Sequence, residues 1–303
     1  METQPLVSVI IPTYKRDVSY LSRAVESVLA QTYENIEIIV IDDSPDTYEK
    51  RQQIRAYMES VTTDRVLYSQ NEKNMGGSLS RNRGIEMARG QFISFLDDDD
   101  EYLPEKIQHQ VAFMLEQNCD LSFSNMIMYS AAGKVVDYRE YTDIPGYDNE
   151  TLLRYHLTHH MTGTPTFMFR TEKLRQIGGF ADAKMGQEFY LMLKSIEQGL
   201  QIRYLPLCDV KVYKHAEGGI TQGRNKIDGE NNLYAFKQKY FDRLSKKEIR
   251  FIKFRHWAVM VVAYKRNKMY GSMMLAGIRA LLSSPVDFIV QVTGFLKKIV
   301  KHK

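Results

Sequence analysis

The feature that most constrains this chain is an alternation in its first hundred residues. Short apolar runs at residues 7–11, 36–41, 65–69 and 92–96 are separated by polar stretches of helical length. The runs are rich in Val, Ile and Phe and have strand length. Between them, residues 19–30 place Leu21, Ala24, Val25, Val28 and Leu29 on one face, with Ser19 as N-cap, and residues 79–88 form a second helix candidate. Repeated strand–helix–strand spacing predicts an α/β fold with a mostly parallel, doubly wound sheet. Further strands are expected at 121–124, 166–170 and 202–205, and helices at 104–117, with Pro104 in the first turn, and at 187–198. The glycine-rich piece 218–229 reads as a mobile loop, and from about Leu233 onward the pattern is helical.

Length and composition fit this reading. A chain of 303 residues with 44% apolar side chains can bury the core of one large domain plus a smaller appendage. Cys119 and Cys208 lie far apart without metal-ligand spacing, so both are expected as reduced thiols of a cytoplasmic protein. No secretory leader precedes the first apolar run, and no stretch reaches the roughly 18 apolar residues of a spanning helix. The net charge of +4 hides an asymmetry: residues 241–303 carry 14 Lys/Arg against 3 Asp/Glu, net +11, while residues 1–240 carry 27 against 34, net −7. The two parts therefore differ in the partners they attract. The expected division is a catalytic domain at 1–232, with a nucleotide half (1–103) and an acceptor half (104–232), followed by a basic helical region at 233–303.

In an open parallel sheet, ligands bind beyond the carboxyl ends of the strands. Polar motifs recur at those places here. Pro12-Thr13-Tyr14-Lys15-Arg16 follows the first run, Asp42-Asp43-Ser44 the second, Asn71 to Gly77 the third, and Asp97-Asp98-Asp99-Asp100-Glu101 the fourth. Five adjacent carboxylates repel one another unless a cation screens them. Hard divalent cations such as Mg2+ or Mn2+ prefer oxygen ligands. In an extended segment alternate residues face the same way, so Asp97 and Asp99 are expected to share one ion. The bland alternative is a solvated acidic turn before Pro104; an EF-hand loop lacks its glycine and spacing here.

Elsewhere each residue also has two readings. Asp42 and Asp43 either hydrogen-bond a base or ribose, or form a turn in which Asp43 or Ser44 caps a helix. Tyr14 either stacks on a nucleobase or is a loop aromatic. Arg81 and Arg83, just past a glycine pair, either meet phosphate oxygens or form a solvated helix face. Glu188 at a helix start is either a general base or a carboxylate favoured by the helix dipole. His215 either ligates a metal or diphosphate or is structural.

These residues together resemble the family 2 inverting glycosyltransferases with the GT-A fold. The resemblance rests on Val-Ser-Val-Ile-Ile-Pro-Thr-Tyr (7–14), Val-Ile-Asp-Asp-Ser (40–44), Ser-Arg-Asn-Arg-Gly-Ile (80–85) and Phe-Leu-Asp-Asp-Asp-Asp-Glu-Tyr-Leu-Pro (95–104), in that order, and extends to about His215. It implies that Pro12, Thr13 and Tyr14, with Arg16 beside them, hold a uracil whose edge Asp42 reads. It further implies that Arg81 approaches the diphosphate, Asp98 lies near the ribose, and Asp97 and Asp99, with His215, bind the metal. Residues 162–166 would line the sugar or acceptor side. Family members usually carry Glu-Asp where this chain has Gln187-Glu188, which makes Glu188 the expected base.

The resemblance thus implies transfer of a sugar from a UDP-sugar to a hydroxyl of a cell-surface glycan or lipid-linked acceptor. Rival functions are a sugar-1-phosphate nucleotidyltransferase, which would carry a Gly-rich loop where 12–16 stands, and a sugar-nucleotide-binding protein without activity. The basic C-terminal region is expected either to lie on an anionic membrane surface on the cytoplasmic face or to pack on the catalytic domain or a second subunit. No recognition motif points to nucleic acid.

Overall fold

A computed structural model of the chain describes residues 4–183, 185–214, 223–290 and 293. The alternation does build a doubly wound unit: β1 (Val7–Thr13), α1 (Val18–Leu29), β2 (Ile36–Asp42), α2 (Arg51–Ser60), β3 (Val66–Gln70), α3 (Gly77–Met87) and β4 (Phe92–Phe95). After β5 (Glu101–Tyr102) and α4 (Lys106–Glu116) come β6 (Leu121–Ser124), the hairpin β7 (Met126–Ser130) and β8 (Val135–Arg139), and α5 (Asn149–His159). Next are β9 (Met168–Arg170), α6 (Thr171–Gln176), α7 (Gln187–Glu197), β10 (Ile202–Leu205) and β11 (Val210–Lys214), then α8 (Gly223–Gln238), α9 (Lys246–Arg266) and α10 (Tyr270–Ser283).

The main sheet has the order β10-β6-β9-β4-β1-β2-β3, and only β9 runs antiparallel to its neighbours. Its central strands are buried on both faces, as parallel strands under helices must be: all seven residues of β2 are out of solvent, while edge strand β3 is only half-buried. β1 pairs with β2 from Val7–Ile36 to Thr13–Asp42, and on its other side with β4 from Val7–Phe92 to Ile10–Phe95. Strand order therefore reverses at β1, and the crevice beyond its carboxyl end is where such sheets bind ligands. Glycines let the layers approach. A Cβ on Gly84 of α3 would come within 2.5 Å of Ile10 Cγ2, and one on Gly90 within 2.7 Å of the Ser8 amide nitrogen.

Several local expectations shift. Asp17, not Ser19, caps α1, and its Oδ1 accepts from the Ser19 amide at 3.1 Å. The 166–170 strand is shortened because Thr164–Thr166 form a single 3-10 turn. Part of the expected mobile loop is ordered helix, since α8 already starts at Gly223. Residues 218–222 lie outside the described residues, as do Val292, Phe295, Leu296, Ile299 and the lysines at 297, 298, 301 and 303. A second, smaller sheet, order β5-β11-β7-β8, has no counterpart in the sequence reading.

The chain divides into two compact units, Met1–Leu152 with Met161–Ala216, and Leu153–His160 with Glu217–Lys303. In the second, Ser245 and Glu248 close a capping box on α9, and Arg154 grips the same Glu248 with two hydrogen bonds of 2.9 and 2.7 Å. Its apolar core joins Ile227, Met260, Ala263 and Ala276. Among the described residues, no helix is long and apolar enough to cross a membrane.

Candidate active site

Because β1 and β4 are neighbours, the residues that follow them meet. Thr13 donates to Asp98 Oδ2 at 2.7 Å, and Arg16 Nε to Asp98 Oδ1 at 3.0 Å. Arg16 Nη2 also sits 3.0 Å from Asp99 Oδ2, and Arg81 of α3 forms an ion pair with Asp97. Arg23 of α1 donates to the Asp99 carbonyl at 2.6 Å and pairs with Glu101 at 3.0 Å. The screening cations that the acidic run demands are thus supplied first by three arginines from three segments.

The run does not continue β4 as an extended segment. The Asp100 amide donates back to the Asp97 carbonyl at 3.0 Å, closing a turn. This corrects the premise that alternate side chains face alike: Asp98 and Asp99, adjacent in sequence, share one guanidinium. Exposure nevertheless separates the four. The side chains of Asp97 and Asp99 are 35% and 17% exposed, that of Asp98 only 6%. Burial pushes Asp98 up to about 6, against the pull of Arg16 and with the push of Asp99. Burial and the neighbouring Asp97 and Asp99 also raise Asp100 well above the usual carboxylate range, although its carboxylate accepts the Tyr213 amide of β11 at 3.0 Å. Asp100 thereby ties the turn to the second sheet.

At the end of β2, Asp42 is fully buried, and its oxygens accept from the Ser44 amide at 2.9 Å and the Tyr68 hydroxyl at 2.8 Å. The residue expected to read a base edge therefore lies out of solvent reach. Asp43 accepts from the Met75 and Gly76 amides at 2.8 and 2.7 Å and from Asn71 Nδ2 at 2.7 Å. It anchors the segment that leads into α3, whose N-cap position is Gly76 without a side-chain cap. Pro12 and Thr13 are the last residues of β1, and Tyr14 beyond them is 43% exposed. A ring presented this way is free to stack on a planar ligand.

The two halves of the site are linked through Arg81. Its Nη1 donates 2.8 Å to Gln187 Oε1 while its other nitrogen pairs with Asp97, and its guanidinium lies 5.5 Å from the Phe180 ring centre. Gly77 makes room: a Cβ there would meet Arg81 Nη1 at 3.1 Å and Gln187 Oε1 at 3.4 Å. Gln187 is the first residue of α7, after the left-handed Gly186 (φ +74°), so Glu188 follows in the first turn. Glu188 is half-buried, and among the described residues no hydrogen-bond donor engages its carboxylate. Gly163, at φ +133° and with Met126 Cε 2.4 Å from its would-be Cβ, fixes the approach to the Thr164–Thr166 turn. His215 lies outside the described residues. Among the described residues, no group of three or more His, Cys, Asp or Glu side chains forms a metal cage.

The sequence reading missed Gln187 as a contact of Arg81, Thr13 as a donor to Asp98, Arg23 at Asp99, and the Tyr213 tether. The only signal was Gln187 itself, standing where the resembled family carries Glu.

The crevice at a strand-order reversal, lined by an acidic turn and arginines, defines a nucleotide-sugar type of α/β fold. Residues 8–178 match the model of glycosyl transferase family 2, more than half of the chain, and the protein belongs to that family. It is 28% identical to the putative colanic acid biosynthesis glycosyl transferase WcaA of Escherichia coli over 82% of this chain and 86% of that one. It is 29% identical to the UDP-Glc:alpha-D-GlcNAc-diphosphoundecaprenol beta-1,3-glucosyltransferase WfaP of Escherichia coli, over 73% of this chain and 82% of that protein. The fold is that of S. aureus TarS 1-349 solved in complex with UDP-GlcNAc: TM-score 0.60, 18% identity, 91% of each chain covered. These matches establish a glycosyltransferase with the GT-A fold.

Proposed function

We propose that the protein transfers a sugar from a UDP-sugar to a hydroxyl of a lipid-linked or cell-surface saccharide, inverting the anomeric centre, with Glu188 as general base. The observation that carries this is the unengaged Glu188 carboxylate, one residue from the Gln187–Arg81–Asp97 chain that leads to the acidic turn. The relatives' printed activities support the substrate class, since WfaP acts on a diphosphoundecaprenol-linked sugar and TarS was solved with UDP-GlcNAc.

Glu188 takes the proton of the acceptor hydroxyl, the oxygen forms a bond to the anomeric carbon, and the bond to the diphosphate breaks on the opposite face. UDP leaves with the electron pair. Arg81 and Arg16 hold phosphate oxygens by charge-assisted bonds. Tyr14 stacks on the base between Pro12 and Thr13. Asp97 and Asp99, the carboxylates with solvent reach, fit an Mg2+ or Mn2+ ion that arrives with the diphosphate and needs only one or two carboxylates. Such an ion, when bound, neutralises charge on the leaving group.

A donor panel assayed for transfer and slow hydrolysis tests the reading. Glu188→Gln is expected to bind UDP-sugar normally and to lose about 100-fold or more in turnover. Asp99→Ala is expected to weaken metal-dependent UDP binding in calorimetry. Wild-type turnover by the Gln variant would remove Glu188 from the reaction.

A further inference from the structure

The second compact unit carries an apolar surface that its own fold leaves uncovered. α10 has a single charged residue, Arg279, among its 14. One face packs on α9 through Ala276 and Ala280, both buried. The opposite face is just as apolar. Met274, Leu275, Ile278 and Leu282 are 50–76% exposed, and Val286 and Ile289 continue the surface at 71% and 59%. A helix apolar all round belongs in a core or in lipid, and a patch of this kind marks an interaction surface. Residues 285–290 are again helical, and the carboxylate of Asp287 is held by Ser284 Oγ at 2.6 Å.

Charge decides what covers the patch. From residue 249 to the end Asp287 is the only acidic residue, whereas Lys265, Arg266 and Lys268 sit at the α9–α10 junction. A symmetric pairing of two copies through this face would bring two strongly basic regions together. An anionic surface with an apolar interior meets both the charge and the exposed side chains. At 14 residues α10 is about 21 Å long, too short to span a bilayer.

We propose that α10 and residues 285–290 form a membrane-docking surface that lies in the headgroup region of an anionic lipid leaflet, with Ile278, Leu282 and Val286 inserted and Lys265, Arg266 and Lys268 on the phosphates. The inference does not depend on the transfer chemistry, and donor hydrolysis assayed without lipid reports on that chemistry separately.

The test uses the full chain and sedimentation with equimolar phosphatidylglycerol–phosphatidylcholine vesicles or with phosphatidylcholine alone. Wild type is expected to partition at least about tenfold more onto the anionic vesicles and to be released by high salt. Ile278→Asp with Leu282→Asp, and separately Leu282→Asp alone, replace exposed side chains. With circular dichroism unchanged, the double variant is expected to lose about tenfold or more in partitioning. Lys265→Glu with Lys268→Glu is expected to lose binding to anionic vesicles in particular. Equal partitioning of the double Asp variant and wild type overturns the proposal. So does a wild-type dimer in sedimentation velocity that the double Asp variant splits, which would make a second copy the occupant.

Discussion

Arg81→Lys separates two jobs that one guanidinium performs. The wild-type fork reaches Asp97 with one nitrogen and Gln187 Oε1, 2.8 Å away, with the other. A lysine ammonium is a point charge on a flexible stem. It can keep the ion pair to Asp97 but cannot bridge both partners in a fixed geometry. What is lost is one hydrogen bond from a charged donor to Gln187, worth about 1.5–3 kcal/mol. If that bond serves to aim the first turn of α7, and with it Glu188, the loss falls on the transition state. At 1.36 kcal/mol per tenfold, kcat then drops by about 10- to 150-fold, while the donor KM stays within about threefold. Thermal stability should fall by no more than that one bond, because the charge opposite Asp97 remains. The assay is initial-rate transfer over a range of UDP-sugar, beside a thermal melt of the same preparation. A Lys variant with wild-type kcat would refute the bridge. A raised KM with unchanged kcat would confine Arg81 to holding the donor.

Gly84→Ala must displace Ile10 Cγ2, 2.5 Å from the new methyl, and is expected to cost about 1–3 kcal/mol, read as a lower Tm. Gly90→Ala meets backbone atoms, Ser8 N at 2.7 Å and the Leu6 carbonyl at 2.8 Å, which cannot rotate away, so its cost lies at or above the top of that range; an unchanged Tm for either would contradict the close packing. His256 is stacked on Tyr234 with ring centres 4.2 Å apart, and burial lowers it to about 4, with Lys237 adding to the shift and Glu230 opposing it. The unfolded chain takes up this proton below about 6.5 and the native chain only near 4. The stabilising contribution is therefore complete above about 6.5 and is lost as pH falls through 4. His256→Phe keeps the stack and should flatten the fall in stability over that window by up to about 3 kcal/mol, measured by denaturant melts at several pH values; an unaltered slope would show that His256 does not titrate this way.

Strands buried on both faces were legible because nothing but an apolar run can occupy them. β1, β2 and β4 all fall where the Val, Ile and Phe runs lie. The second sheet was illegible for the opposite reason. β8 is mostly exposed, Val135, Val136 and Tyr138 included, and its residues show no alternation of apolar and polar faces. α2 was hidden by composition, since only Ile54 and Met58 make up its buried apolar stripe, beside Arg51. Lys106 shows the limit at a single residue. A lysine at a helix start reads as solvated, yet this one is fully buried, with Nζ 2.5 Å from Ser94 Oγ and 4.2 Å from the Tyr102 ring centre. Burial holds it well below the usual lysine range. Only the packing of α4 on β4 places it there.

The acidic turn shows the same division between composition and geometry. Charge repulsion in the sequence called for a cation, and that demand holds. Which cation answers it depends on the fold: Arg16 arrives from the end of β1, Arg23 from α1 and Arg81 from α3. Two of these, Arg16 and Arg81, stand at the crevice where strand order reverses, and a diphosphate offers them oxygens equivalent to those of a carboxylate. On the proposed reading, donor binding is an exchange of partners. The arginines turn from Asp97 and Asp99 to phosphate, and the two released carboxylates then need a divalent ion in their place. Asp98 would lose its Arg16 bond in that exchange but keep the Thr13 hydroxyl, which with burial holds it inside the turn. On that reading the acidic run is screened by arginines before the nucleotide arrives and would hold a divalent ion only together with it.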